Sequence, residues 1–449
     1  MITLAKLESK ICVDTFNKRV NVTANVTVGE LAEELRKYNL TLENFASIND
    51  QSVGGFIQAG CHGTGALVPP VNDQVEGLVL VTPGLGPIRI LPGTHTFKDT
   101  QNEVDIKIIA DDELFSLVKC GLGGLGIVYE VTLRCVPLEN LEEVTKVFRL
   151  EELKKIHTRL LLENRHVRYM WYPFTDSVVV VTSNPTSKTA APVALSHSHS
   201  LKPLREIMTH RTGGPSERPG DPTSLAAFRD ALISLDPLNV DFIRQVNKAE
   251  VQCWKNLEGT RIGTSPEILS FDCGGQQCVY EVAFKVEQNC AHNESPDIEF
   301  VMRLLKRIET LNIPAPAPIE QRWSQSSSSM MSPAYSTSIS DIFTWIGIIM
   351  YLPVGSDLHT LNARWNIKEV FHKVYTKVLL EAGPVDPLQL RAHWAKLDLP
   401  APEGNELSEL RAKLRKQYPL KLYNTYRRLL DPNSILTNQW MDLLIAQND

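Results

Sequence analysis

Glu320 and Arg322 stand two residues apart in the segment Pro318-Ile-Glu-Gln-Arg-Trp323. On a strand, residues at that spacing point to the same face. A carboxylate beside a guanidinium can place a substrate hydroxyl and take or steer its proton. The guanidinium can also stabilise negative charge developing nearby. By spacing alone an ordinary surface ion pair is the favoured reading. Lys396 in His393-Trp-Ala-Lys396 is a second candidate cation, although a lone lysine is usually solvated and a lone histidine is often a satisfied structural one. Cys273, in Phe271-Asp-Cys-Gly-Gly-Gln-Gln277, offers a thiol, for which an inert buried role is the ordinary case.

Two glycine-rich segments could bring backbone close to a ligand. Val53–Gly65 carries five glycines in 13 residues. That density implies unusual backbone angles or close approach, and such a stretch can aim N–H groups at phosphate or ring atoms. Gly121-Leu-Gly-Gly-Leu-Gly126 matches the dinucleotide fingerprint letter by letter. The fingerprint needs a strand before it and a helix after it. Here Leu114, Leu117 and Val118 give a helical face before it, and Ile127–Leu133 reads as a strand after it. The dinucleotide reading therefore fails, and a tight helix-to-strand turn remains.

The elements that must hold these residues come in blocks rather than in strict alternation, which favours α+β. Val20, Val22, Ala24 and Val26 alternate as a strand. Thr27 and Glu30 form a capping-box pattern before Leu31 and Leu35. Strands are expected at Leu78–Thr82, Ile88–Leu91, Val178–Thr182, Val279–Val286 and Thr344–Leu352. Helices are expected at Glu151–Leu162, Ala226–Cys253 with a break at Pro237, Ile298–Thr310, Lys368–Leu380 and Leu407–Leu430. Ala190–Ser224 is rich in Pro, Gly, Ser and His without an apolar period, and reads as a surface insert or mobile loop.

With 449 residues the chain is expected to form two domains. A net charge of −6 gives no basic footprint for nucleic acid. The eight cysteines fall in no metal-ligand spacing, so no metal site is expected and reduced, mostly buried thiols are. The apolar run Phe343–Val354 is too short to span a bilayer and reads as a buried strand. Met1–Leu7 is followed at once by Glu8 and Lys10, so the opening residues are not expected to be a secretory signal.

Taken together, the two glycine segments resemble the FAD domain of the vanillyl-alcohol-oxidase-type flavoproteins. Asn44-Phe-Ala-Ser47, Glu320-Gln-Arg-Trp323, Met331-Ser-Pro-Ala334, His393-Trp-Ala-Lys396 and the tail Leu430–Asn438 resemble the aldonolactone oxidoreductases within them. The forms "PAPAPIEQRW", "FDCGGQQ" and "HWAKLDLP" are most similar to the plant-type galactonolactone branch. The resemblance covers nearly the whole chain outside Ala190–Ser224. It implies an α+β, two-domain FAD-linked oxidoreductase with a PCMH-type FAD-binding domain and an α+β cap. The expected division is 1–137 for the FAD domain, 138–385 for the cap and 386–449 for a segment returning to the flavin. Met1-Ile-Thr-Leu matches a point downstream of the family's pyrophosphate-wrapping segment, so the chain reads as truncated at its N-terminus.

The resemblance also assigns roles. Glu320, Arg322 and Lys396 would be catalytic, with Lys396 approaching the flavin. Ser47, Cys273 and His393 would bind substrate. The FAD contacts would be Ala46, then Gly54, Gly55, Gly60, His62, Gly63, Thr64 and Gly65 of the first glycine segment. Gly121, Gly123, Gly126, Ile127 and Val128 of the second would complete them. His62 by itself reads more readily as a packing residue. Oxygen-using relatives often carry a smaller Gly where this chain has Ala46, and a methyl group there can obstruct a small gas. The implied reaction is FAD-dependent oxidation of L-galactono-1,4-lactone, or a close aldono-1,4-lactone, to L-ascorbate. Electrons would pass to cytochrome c, with a mitochondrial location at the inner membrane or intermembrane space and peripheral membrane association. Two other readings stay open: an oxygen-using aldonolactone or alditol oxidase making hydrogen peroxide, and a flavin-free truncated chain acting as a non-enzymatic subunit.

Overall fold

The computed structural model describes residues 3–94, 106–189, 200–213, 224–271, 274–286, 295–383, 385–399 and 405–445. The first lobe is built from β1 (Ile11–Asp14), β2 (Arg19–Thr23), β3 (Leu40–Thr41), β4 (Val75–Thr82), β5 (Gly86–Leu91), β6 (Lys107–Ala110), β7 (Ile127–Arg134) and β8 (Val136–Pro137). Six of these form one sheet in the order β1-β2-β7-β4-β5-β6, antiparallel except for the β5–β6 edge. Val20 and Val22 of β2 are fully buried while Arg19 and Asn21 are half-buried, the alternation of a strand with one covered face. The helix Val28–Arg36 starts where the sequence says: Thr27 Oγ1 accepts from the Glu30 N–H, and the Glu30 carboxylate accepts from the Thr27 N–H at 2.8 Å. Its buried face is Val28, Leu31, Ala32 and Leu35.

The second lobe holds β9 (Asn140–Arg149), β10 (His166–Trp171), β11 (Ser177–Thr186), β12 (Gly259–Thr264), β13 (Gln277–Val286), β14 (Ile319–Gln325), β15 (Ile342–Tyr351) and β16 (Arg391–Ala392). They make one eight-stranded sheet, β12-β9-β11-β10-β14-β15-β13-β16. Every residue of β15 is buried, which explains its nearly continuous apolar sequence, interrupted by Thr344: it is a central strand covered on both faces. Among the described residues no helix is long and apolar enough to cross a membrane.

The register of this sheet decides the site. Arg168 of β10 lies opposite Arg322, and Met170 opposite Glu320. On the other side Glu320 faces Gly347 and Arg322 faces Trp345. Alternation sends Glu320 and Arg322 to one face and Gln321 and Trp323 to the other. There Asp297, on the helix Pro296–Thr310, accepts from the Gln321 amide at 3.1 Å and the Trp323 indole at 2.8 Å. The C-terminal segment adds β16 to the sheet edge, with Ala392 opposite Val282. That brings the residues after β16 alongside β13. The tail beyond packs on the first lobe, where the Tyr423 hydroxyl donates to Gly121 O at 2.6 Å and the Gly84 N–H to Leu430 O at 2.7 Å. The glycine segment is tied to β14, the Gly65 N–H donating to Trp323 O at 2.7 Å.

Several sequence expectations change. The Ala190–Ser224 insert contains the helix Lys202–Thr212, which buries Leu204 against Phe228 and Phe242; residues 190–199 and 214–223 lie outside the described set. Leu201, Leu204, Ile207 and Met208 form the apolar face of this helix, a short period hidden by the Pro-, Ser- and His-rich residues around it. The tail helix is two helices, Glu406–Gln417 and Leu420–Leu430, because Pro419 cannot continue the first. The first half of the Val53–Gly65 stretch is a helix, Val53–Gln58, with Ser52 as N-cap. The strand expected over Val20–Val26 ends at Thr23. Of the described cysteines, Cys12 is exposed and Cys61 and Cys278 are half-buried; only Cys120, Cys135 and Cys253 are buried, and all six are free thiols. Strands β9 and β12 carry too many charged or small residues to show in a hydrophobic pattern.

Candidate active site

A cavity of about 730 Å³ opens over the face of the second sheet that carries Glu320 and Arg322. Ser47, Arg168, Met170 and Lys396 also line it. Its other end is walled by Tyr172, Arg229, Glu250, Trp254 and Tyr351. A second, more apolar cleft of about 480 Å³ is lined by Gly54 and Gly55 on one side and Gly123, Gly126, Ile127 and Val128 on the other. Ala395 borders both spaces, so a group lying in the cleft reaches the cavity there.

Four charged side chains alternate in sign through the cavity wall. Glu320 lies 3.3 Å from Arg322. The same Arg322 Nη2 lies 3.4 Å from Glu281, and Glu281 accepts from the Lys396 ammonium at 2.7 Å. Glu281 is fully buried on β13, a residue the sequence reading did not single out. Burial would push its carboxyl up, but Lys396, His62 and Arg322 outweigh this and hold it well below the usual carboxylate range.

His62 packs under this chain. Its ring stacks on Trp345 with centroids 3.9 Å apart and 7° between planes. Its Nδ1 lies 2.8 Å from Gly63 O and its Nε2 3.2 Å from Glu281. Burial lowers its pKa to about 4, against the pull of Glu281. The ring is therefore neutral near pH 7, and its single N–H serves one of these acceptors at a time. His393 is buried beside it, its Nδ1 accepting from the Ala395 N–H at 3.2 Å and capping the turn Trp394–Lys396 that presents Lys396. Burial holds the His393 ring well below its ordinary pKa. Ligand-type atoms of His62, Glu281 and His393 lie within 4.8 Å of one another. The guanidinium and ammonium already facing Glu281 would repel a metal ion, so the cluster is a buried network of ion pairs and hydrogen bonds whose carboxylate is already neutralised.

Residues 131–444 match the D-arabinono-1,4-lactone oxidase family, and residues 1–90 match an FAD-binding domain family. The chain belongs to the D-arabinono-1,4-lactone oxidase family. Similar relatives include the mitochondrial L-galactono-1,4-lactone dehydrogenase of Brassica oleracea, 44% identical over 99% of this chain and 73% of that protein. The protein of the same name from Arabidopsis thaliana is 42% identical, over 99% of this chain and 72% of its own length. L-gulonolactone oxidase of Bos taurus is 23% identical over 98% of this chain and 84% of that protein. Among solved structures, a solvent-stable cholesterol oxidase aligns with a TM-score of 0.68 at 13% identity, covering 98% of this chain and 84% of that one, which shows a shared fold. The chain is an FAD-dependent oxidoreductase of this family, with the α+β architecture of its FAD-linked relatives.

The residues present fit FAD. The two glycine turns face one cleft with little side chain between them, and at Gly123 (φ 75°) a Cβ would meet only open space. Gly54, Gly55, Gly123, Gly126, Ile127 and Val128 line that cleft. The other family-implied contacts lie elsewhere. At Gly63 a Cβ would come within 2.0 Å of Asn44 Oδ1, and at Gly65 within 2.4 Å of Arg165 O, so both are glycine because protein packs against them. The Thr64 hydroxyl donates to Val167 O, and Gly60 would meet Cys120 and Pro333. Gly121 would meet Gln58, and its carbonyl is the acceptor for Tyr423. Ala46 is half-buried against the main apolar core.

Of the substrate residues, Ser47 lines the cavity, its carbonyl accepting from the Phe271 N–H at 3.1 Å. His393 is not among the cavity-lining residues, and Cys273 lies outside the described residues. Cys278, not singled out from sequence, does line the cavity. So does Arg168, whose guanidinium sits 3.8 Å over the Phe271 ring.

Proposed function

We propose that the chain oxidises L-galactono-1,4-lactone, or a close aldono-1,4-lactone, to L-ascorbate in mitochondria and passes the electrons to cytochrome c. The reading rests above all on one observation. Glu320 and Arg322, 3.3 Å apart, share a cavity with Lys396 and adjoin the glycine-lined cleft at Ala395. Bound FAD supplies the two-electron oxidation of the carbon bearing a hydroxyl. This chain's own residues do the rest. Arg322 orients the lactone by donating to its oxygens, and Glu320 accepts the proton of the hydroxyl being oxidised. Ser47 adds a hydroxyl to the cavity lining. Lys396 places fixed positive charge at the boundary between cavity and cleft, where negative charge builds up. The product ketolactone then enolises to ascorbate.

The mitochondrial relatives support the location. Peripheral attachment at the inner membrane, facing the intermembrane space, would bring the protein to cytochrome c. Release of the protein from inner-membrane fractions by salt tests that placement.

Turnover is tested with FAD-loaded protein, lactone and cytochrome c, following cytochrome reduction and ascorbate formation together. The reading expects two cytochromes reduced per ascorbate and little peroxide in air. Stoichiometric hydrogen peroxide without any need for cytochrome c would place the chain with the oxygen-using oxidases. A folded protein that takes up no FAD, judged by its visible absorbance, would support the non-enzymatic reading. Arg322→Ala should retain flavin but lose turnover by about 10²- to 10⁴-fold.

A further inference from the structure

We propose that Glu281 is a positioning residue that couples charge at Glu320 to charge at Lys396. The four groups form a line, Glu320–Arg322–Glu281–Lys396, with successive separations of 3.3, 3.4 and 2.7 Å. Glu281 sits behind the cavity wall and is 1% exposed, so it acts through its neighbours rather than on the substrate. One guanidinium nitrogen, Arg322 Nη2, stands between the Glu320 and Glu281 carboxylates. Its attraction is divided while both are charged. Resting on the reading of Glu320 as proton acceptor, the consequence is direct. When Glu320 gains the substrate's hydroxyl proton it becomes neutral, and Arg322 turns its full charge on Glu281. Glu281 then compensates Lys396 less. The ammonium beside Ala395 presents more positive charge to the cleft at the moment that negative charge arrives there. In a buried setting, charges this close affect one another strongly.

Local structure supports the coupling. Lys396 is held on a short turn capped by His393, and that turn is docked on β13 by the His393 N–H donating to Glu281 O at 3.0 Å. Arg322 is fixed on β14, between β10 and β15. Glu281 is also approached by the neutral ring of His62, itself clamped against Trp345. The carboxylate therefore has few other positions to adopt when its neighbours change charge.

The test compares FAD-loaded wild type with Glu281→Gln, Lys396→Met and the double variant. It reads flavin reduction by lactone without oxygen, lactone affinity, and the midpoint potential of the bound flavin. Glu281→Gln keeps the shape and removes the charge. Lys396 is then uncompensated whether or not Glu320 has gained a proton, so the midpoint potential is expected to rise while lactone affinity changes by less than about threefold. Adding Lys396→Met should lower the potential and slow flavin reduction by more than the same change does in the parent, because the ammonium acts at full strength once its carboxylate is gone. Equal effects of Lys396→Met in the two backgrounds, or a Glu281→Gln protein with wild-type potential, would overturn the proposal. If Glu281→Gln does not fold, the double variant decides. It removes one charge of each sign and is expected to restore folding. A double variant that also fails to fold would mean that Glu281 is needed for structure beyond the charges it holds, and would overturn the coupling.

Discussion

Glu250 sits at the far end of the cavity from Glu320, and burial pushes its carboxyl up to about 7 although Arg229 and the Tyr172 hydroxyl pull it down. Asp230 also raises it, and Trp254 leans toward it. Between about pH 4.5 and 7 the folded protein therefore holds a proton that the unfolded chain has released. Stability from this group falls as pH rises through that window, by about 1.4 kcal/mol per pH unit. Glu250→Gln should make the melting temperature rise more steeply with pH between about 4.5 and 6.5; an unchanged slope would mean that Glu250 does not titrate. His62 and His166 act with the opposite sign, since burial lowers both to about 4, and stability is lost as pH falls below 6.5. The Glu250 contribution is thus read as a difference between variant and parent. At this scale the two-residue spacing put Glu320 and Arg322 on one face of a strand, and the family resemblance, not the spacing, gave the pair its expected role. Glu281 was invisible. Its partners Arg322, Lys396 and His62 lie 41, 115 and 219 residues away, and a lone carboxylate inside an apolar strand has no local pattern.

Elements place these residues by register, and glycines let the elements meet. Gly63 has φ 67°, and a Cβ there would strike Asn44. That amide bridges His62 O at 2.9 Å and Pro69 O at 3.1 Å, holding the ribbon beneath the site. Gly63→Ala should lower unfolding free energy by about 3 kcal/mol, combining backbone strain with displacement of Asn44. Gly86, also at positive φ (68°), meets nothing within 4 Å, so Gly86→Ala should lose only about 1 kcal/mol. Urea unfolding of the two variants separates the effects, and equal losses would mean that contact with Asn44 contributes nothing. The elements with strong patterns were legible: the capped helix Val28–Arg36, the largely apolar β15 and the β-branched run in β11. The reversed order around Gly121–Gly126 was legible too, with the helix Asp112–Val118 before it and β7 after it. Edge strands such as β12 and β16 were not, because pairing with a distant neighbour, rather than their own residues, makes them strands.

The whole molecule brings its site together by folding the chain back on itself. Two sheets meet through the glycine ribbon, and the C-terminal segment crosses from β16, where it presents Lys396, to the first lobe at Gly84 and Gly121. The family resemblance made this return visible as an expectation; the contacts that perform it have no signature in composition or period. The central claim is that the Glu320–Arg322 pair takes the proton from a lactone lying against the flavin cleft. Mixing FAD-loaded protein with L-galactono-1,4-lactone without oxygen, and following the visible flavin band, tests it most directly. The band should bleach rapidly in the parent protein and about 10²- to 10⁴-fold more slowly in Glu320→Gln with flavin still bound. Equal bleaching rates in the two proteins, or none in the parent, would contradict the account.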